Sequence, residues 1–446
     1  MIQVGTRKAL LADSLASFCH PRWVKSIEYF APPFPPESGF GLVREDDWKQ
    51  NISFRFGEWI VKARAVLRED HLISFIDELH DGDLHAKRVV SLAHGTLGVL
   101  TSASLAVHAI GQGLAHARGT LSKHAVKQVD RLLGNSAIEL DGFFSHWVPH
   151  VVGAREEIVV ALDWTSFARD GHETLMLSML TEHGRATGVM WETVLSATLK
   201  DNRNRYEDEL LYRFSKVVPE GVKVTVVADR GFAHCNLFKY LEEDLGFGYV
   251  IRLPGSYYVT SESGERRLAS QWVRPAGRTR TLRRAKLTDA HLLTVGTLVC
   301  LRDKNMKDHW CLVASDENAT PRLLIQYYAK RWGIETSFRD LKDPRYGLGL
   351  SSMRTSCPER RDRLILISIL AIALLSLLGA AGERIGYDRW LKVNTAKHRT
   401  HSLFRQGLML YEHIPNWPTQ RLRPLIDEFA ALLDEHRLYK RMFAIL

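Results

Sequence analysis

Residues 320–344 read TPRLLIQYYAKRWGIETSFRDLKDP, and the way this stretch folds constrains everything before it. Thr320 suits an N-cap and Pro321 suits the first helical position, where its missing N–H costs nothing. Pro344 disfavours helix at the residue before it, so the spacing predicts one helix from Pro321 to Lys342. At about 100° per residue, with Tyr328 at zero, Arg331, Glu335 and Lys342 fall in the same arc, roughly 60° wide. Leu323, Tyr327, Ile334, Phe338 and Leu341 lie at roughly 220° to 280° by the same count. A polar stripe therefore borders the face that packs into a core. Taken alone, the stripe reads first as an ordinary salt-bridge face, because Arg331 and Glu335 are spaced i,i+4.

Upstream, two short apolar runs change that reading. IVVAL at 158–162 ends on Asp163, and VKVTVVA at 222–228 ends on Asp229 with Gly231 just beyond. Runs of this kind predict buried strands, and an acid where a buried strand leaves the core is where α/β sheets hold ligands and metals. Thr174 to Leu180 and Val189 to Leu195 predict further strands, and His234 to Asp244 a helix. Asp163, Asp229 and Glu335 together offer the hard carboxylate oxygens that Mg²⁺ prefers. A pair of such ions activates the attacking oxygen and stabilises the leaving oxygen at a phosphodiester. Arg331 and Lys342 would then hold phosphate oxygens, with Tyr328 donating a hydrogen bond.

The charge distribution agrees with an anionic partner. The chain carries 60 Lys and Arg against 51 Asp and Glu. Between Ile251 and Trp310 there are twelve basic and five acidic residues, a net of +7 out of +9 for the whole chain. Candidate strands at Tyr249 to Leu253, Tyr257 to Thr260, His291 to Leu301 and Trp310 to Ala314 surround a basic loop, Arg274 to Lys286. Its Arg278, Arg280, Arg283 and Arg284 are candidate DNA contacts. A helical pattern over 87–135 sets Lys123, Lys127 and Arg131 opposite Val126, Val129, Leu132 and Leu133. That fits a helix-turn-helix-like DNA-binding module, and equally a small bundle with a solvated basic face. The first 80 or so residues, with prolines at 32, 33, 35 and 36, suggest no role.

Several classes fall away. The five cysteines show neither a C-x-x-C pair nor a ligand-like spacing to histidine, which argues against a zinc site or disulfide framework and fits a reduced cytoplasm. The N-terminus, with Asp13 among short apolar runs, does not read as a signal peptide. Leu364 to Gly382 runs nineteen residues without a charge, about the length of a membrane span. Ser368, Ser376 and Gly379 interrupt it and charges flank it, so a helix buried inside a large domain is the expectation.

The spacing Tyr328-x2-Arg331-x3-Glu335-x6-Lys342 resembles the YREK signature of the insertion-sequence-four family of DDE transposases. Residues 328–350 are similar above all to its Tn-ten-like members. ALDWT at 161–165 and ADRGF at 228–232 resemble the first and second acid motifs of that family, and VDRLLGN at 129–135 resembles its N-terminal region. The resemblance spans Lys87 to Tyr411.

It implies an α/β fold: a ribonuclease-H-like catalytic core over 151–246 and 315–383, interrupted by a β-stranded insertion over 247–314. A helical DNA-binding domain over 85–150 and a helical C-terminal region over 384–446 flank it, and residues 1–84 have no assigned role. It further implies catalysis and metal binding by Asp163, Asp229 and Glu335 with two Mg²⁺ ions, for which Mn²⁺ could substitute. The implied reaction is cut-and-paste excision of an insertion sequence through a hairpin intermediate, then strand transfer. Trp310 resembles the tryptophan that stacks on the flipped base; a core aromatic on a strand is its plainer reading. The expected partners are transposon ends and target DNA, held by a homodimer in the synaptic complex on the bacterial nucleoid, without a membrane. The alternatives are a nuclease of the same fold and a DNA-binding regulator derived from a transposase. Lys342 and the basic insertion count against the first, and the presence of all three acids counts against the second.

Overall fold

The computed structural model describes residues 69–274, 278–288, 292–304 and 306–439. Most of the stretch with no assigned role, residues 1–68, therefore lies outside the described residues, as does the start of the expected strand at His291. The described residues belong to one compact unit, so the expected modules share a core.

Five helices come first: α1 (Glu69–Leu79), α2 (Ala86–Ser102), α3 (Val107–Arg118), α4 (Ser122–Leu133) and α5 (Leu140–Val152). The chain turns by 96° between α2 and α3. Only three residues, 119–121, separate α3 from α4, the connection length of a helix-turn-helix. Gly111 lets these two helices touch backbone to backbone, since a Cβ there would fall 2.6 Å from the Val126 Cα. Ala125, Val129, Leu132 and Leu133 are buried, while Lys123, Lys127 and Arg131 are exposed on α4, as the 3.6-residue period requires.

A 10-stranded sheet follows, in the order β3-β2-β1-β4-β5-β10-β9-β8-β6-β7. β1 (Glu157–Phe167), β2 (His172–Leu180) and β3 (Ala186–Leu195) form an antiparallel meander. After α6 (Arg203–Val217), β4 (Lys223–Ala228) pairs parallel to β1. After α7 (Cys235–Lys239), β5 (Gly248–Arg252) pairs parallel to β4. Three antiparallel strands followed by two parallel ones form the ribonuclease-H-like core.

Two sequence expectations need correction here. β5 belongs to that core through its pairing with β4, so the insertion begins after Arg252 and not at residue 247. The supposed basic loop is largely a strand, β8 (Arg280–Leu287), which pairs with β9 (Leu293–Leu301). Its run of arginines hid an alternation that buries Ala285 and Leu287. With β6 (Tyr258–Thr260), β7 (Arg266–Leu268) and β10 (Trp310–Ala314), the insertion extends the core sheet, because β10 pairs antiparallel to β5.

The segment 320–342 forms two helices, α8 (Pro321–Lys330) and α9 (Trp332–Lys342), where one was expected. Thr320 caps α8 by accepting the Leu323 N–H at 3.3 Å, as read from the sequence. The uncharged run lies in α10 (Pro358–Arg384), buried along almost its whole length. It packs against α2, β3, α11 (Leu403–His413) and α12 (Thr419–Tyr439). Gly379 and Gly407 make the α10–α11 crossing possible: a Cβ on Gly407 would lie 1.7 Å from the Leu375 carbonyl oxygen. The C-terminal helices therefore complete the core, contributing Phe404, Leu408, Leu425 and Phe429.

Candidate active site

The sheet itself brings the first two acids side by side. The parallel ladder between β1 and β4 ends at the pair Leu162 and Ala228, so Asp163 and Asp229 are the next residues on neighbouring strands, which lie about 4.8 Å apart. Asp229 stands past the end of β4, as expected. Asp163 does not end its strand: β1 continues to Phe167, with Asp163 opposite Met176 of β2. What ends at Asp163 is the parallel pairing, and the loss of that neighbour frees room beside its carboxylate.

Each carboxylate is partly held by backbone. Asp229 Oδ1 accepts the Gly231 N–H at 2.7 Å, fixing the tight turn after β4. Asp163 Oδ1 accepts the Trp164 N–H at 2.9 Å. The third acid arrives on α9, and Arg331 joins it to the first. The buried guanidinium of Arg331 donates to Asp163 Oδ2 at 3.3 Å and to Glu335 Oε1 at 2.6 Å. Arg331 is also where the long helix breaks; its N–H bonds back to the Tyr328 carbonyl at 3.1 Å, a tighter i→i+3 turn.

Burial pushes the Asp163 carboxyl up to about 6; Arg331 opposes this, while the negative charges of Asp229 and Glu335 add to it. Both other acids are thus within electrostatic reach of Asp163. Among the described residues, however, no three His, Cys, Asp or Glu side chains converge to ligating distance. Arg331 occupies the space between Asp163 and Glu335, and the donor set fits divalent cations by chemistry once that guanidinium gives up the carboxylate oxygens to them. Three carboxylates sharing one partly buried pocket carry more negative charge than a single guanidinium offsets, and hard-oxygen cations suit that excess.

The remaining stripe residues divide. Tyr328 is buried, with its ring edge-on to Trp310 at 4.8 Å, and burial raises its hydroxyl pKa. Trp310, half-buried on β10, thereby reaches the site through Tyr328. Lys342 sits about two turns beyond Glu335, donating to Thr165 Oγ1 at 3.0 Å and to the Ser166 carbonyl at 2.7 Å. Thr165 shares the β1 face of Asp163, two residues on, so the ammonium lies along the same edge. Burial lowers the Lys342 pKa.

The arginines of the insertion are not brought to the acids. β8 is five strands away from β1, about 24 Å at the usual strand spacing. Arg280 lies over the Trp272 ring at 4.5 Å, Arg283 donates to Thr297 and the Glu317 carbonyl, and Arg284 lies 3.9 Å from both Glu262 and Glu317. Arg278 precedes the strand. Lys123, Lys127 and Arg131 stand on α4, in the helical region that precedes the sheet.

Several positioning residues gave no signal in the sequence. The turn between β2 and β3 straps α8 and α9 in place: Lys330 meets Glu182 at 2.5 Å, Arg185 meets Asp340 at 2.6 Å, and Ser337 takes the Ala186 N–H at 2.9 Å. Arg252, at the end of β5, hydrogen-bonds the Tyr328 hydroxyl and the His309 carbonyl. These partners lie up to 155 residues apart, beyond the reach of any local pattern.

No curated protein matches the chain. Residues 155–374 match the family described as the transposase DDE domain. That segment begins just before β1, contains all three acids, and ends within α10. With its acids gathered at one end of the β1–β4 ladder of a ribonuclease-H-like sheet, this segment is similar to a transposase DDE domain.

Proposed function

We propose that this protein is a DNA transposase that excises an insertion sequence by cutting and pasting, and that Asp163, Asp229 and Glu335 form its reaction centre. The observation that carries the reading is Arg331, whose one guanidinium reaches both the first and the third acid at the point where the second leaves its strand. The three carboxylates would hold two Mg²⁺ ions, or Mn²⁺ in their place. When bound, such ions polarise the phosphodiester and raise the nucleophilicity of water or a 3′-OH.

The protein's own groups bind and orient the DNA. Lys342 uses two of its three ammonium protons on Thr165 and Ser166 and keeps one for a phosphate oxygen. Arg331, once displaced from the carboxylates, donates in a planar fork that suits phosphate. Tyr328 supports this edge from beneath and backs Trp310, which would stack on a base extruded as a hairpin closes; such stacking offsets part of an unstacking cost of a few kcal/mol. Water and then 3′-OH groups act in turn as nucleophiles, each by in-line displacement without a covalent protein intermediate. The basic face of α4 would bind transposon ends, and a homodimer would hold two ends and the target on the nucleoid, away from any membrane.

The test is cleavage and joining of end-bearing DNA by the purified protein. Asp163→Asn, Asp229→Asn and Glu335→Gln are each expected to lower Mg²⁺-dependent cleavage by at least about a thousandfold, the scale of losing electrostatic stabilisation at a reacting centre, while end binding persists. A variant that cleaves near the wild-type rate removes that residue from the centre. Cleavage by the wild-type protein without joining would replace the transposase reading with a nuclease.

A further inference from the structure

Behind the sheet, on the face opposite the three acids, α6 buries a carboxylate that no step above uses. Glu207 is 1% exposed. Its Oε1 accepts the indole N–H of Trp164 at 2.8 Å, and Arg203, one helical turn earlier, lies 3.4 Å from the same oxygen and over the Trp164 ring. Its Oε2 faces the imidazole of His234, 3.8 Å away, and neither of those two atoms has a hydrogen-bond partner among the described residues. The other ring nitrogen of His234 accepts the Leu237 N–H at 3.1 Å. The nitrogen that faces Glu207 is therefore the one carrying hydrogen.

Of the two residues that Glu207 addresses, one lies in the first acid motif and the other lies two residues beyond the second. Trp164 directly follows Asp163, and its backbone N–H is the donor to Asp163 Oδ1. In a strand its side chain points to the face opposite that of Asp163, so holding the indole fixes the backbone that aims the acid. His234 closes the turn that begins at Asp229, which starts with the Gly231 bond and ends at the cap of α7. A carboxylate is a costly group to bury, and one that serves only packing would be replaced without loss by an apolar side chain of the same volume.

We propose that Glu207 is a positioning residue that sets the relative placement of Asp163 and Asp229, and thereby the divalent-cation affinity of the centre. The inference rests on the reading that these acids hold metal. Outer-shell partners of metal ligands change affinity when removed, while leaving the fold and the ligands themselves in place.

Direct Mn²⁺ binding to the full chain, followed by loss of the free-ion paramagnetic resonance signal, tests this alongside the Mg²⁺ concentration that gives half-maximal cleavage. Trp164→Phe keeps the ring and removes the donor; Glu207→Met keeps the volume and removes the acceptor. Both are expected to weaken Mn²⁺ binding about tenfold, whereas Glu207→Gln, which retains an acceptor, stays within about threefold of wild type. The double variant Trp164→Phe with Glu207→Met should be no worse than either single change, because both break the same hydrogen bond. DNA affinity should not move. Unchanged Mn²⁺ affinity in Trp164→Phe overturns the proposal, as does a loss in Glu207→Gln equal to that in Glu207→Met. Should Glu207→Met fail to fold, Trp164→Phe and Glu207→Gln still decide. A wild-type protein whose Mn²⁺ binding is insensitive to Asp163→Asn would instead sink the metal reading on which this one stands.

Discussion

Arg331 and Asp362 show the two ways this chain handles a buried charge. Arg331 is enclosed, yet it sits between two carboxylates, so its desolvation is repaid in Coulomb attraction. Asp362, near the start of α10, is not ion-paired among the described residues. One of its oxygens accepts the Thr193 N–H at 3.3 Å, the other has no hydrogen-bond partner there, and burial pushes its carboxyl up to about 7. Its folded-state pKa thus lies above the ordinary 3.8. The stability linked to this group is complete below the unfolded value and is lost as pH climbs through the folded one. Asp362→Asn keeps the acceptor and removes the titration. It is expected to stabilise the protein above pH 7 by on the order of a few kcal/mol, with the advantage vanishing toward pH 4. Urea unfolding at several pH values checks this; a gain independent of pH would assign the effect to something other than ionisation.

At the scale of elements, one contact holds the helix that bears Glu335 and another holds the C-terminal helices against the core. The β2–β3 turn grips α9 through Arg185 and Asp340, and Asp340 is largely buried. Arg185→Ala leaves that carboxylate unpaired and is expected to cost about 3 kcal/mol, with cleavage falling further than stability alone accounts for, because the helix bearing Glu335 is released. Unfolding and cleavage measured on the same variant separate the two effects. The second contact is the α10–α11 crossing. Gly407→Ala places a methyl group against the Leu375 carbonyl, and separation of the helices should cost about 3 kcal/mol or more. A melting temperature equal to that of wild type would mean that the crossing is looser than its geometry indicates. The capping of α8 and the burial of α10 were legible in local sequence, through Thr320, Pro321 and the uncharged run. The break at Arg331 was not, since no proline interrupts 322–342 and Gly333 alone only weakens a helix, while the contacts beside the break, to Asp163 on β1 and to Glu182 in the β2–β3 turn, come from residues distant in the chain.

Across the whole molecule, the two basic groups that the sequence singles out differ in how they are engaged. Lys123, Lys127 and Arg131 project from α4 into solvent, whereas Arg280 and Arg283 are engaged with Trp272, Thr297 and Glu317 inside the insertion. Neutralising the first three together is expected to reduce the slope of log affinity against log salt by roughly one for each phosphate they neutralise in the wild-type complex. Arg280→Ala and Arg283→Ala should lower thermal stability and leave that slope nearly unchanged. DNA binding across a salt series, paired with melting curves, distinguishes the groups, and a flattened slope for Arg280→Ala would return the insertion to the DNA-contacting surface.

Local pattern determined the strands that lead to Asp163 and Asp229 and the capped start of the helical segment that goes on to Glu335, because hydrophobic period and caps are properties of neighbours in the chain, while the fold class followed from the family resemblance of the motifs on those elements. Tertiary structure decided the rest. It placed β5 in the core and turned the arginine-rich loop into β8, since pairing partners distant in sequence set strand membership. It set Arg331 between two acids, and it put Glu207 behind them from a helix whose own sequence reads as ordinary. Those arrangements depend on which side chains meet after the sheet has formed, and that meeting is written in no single segment.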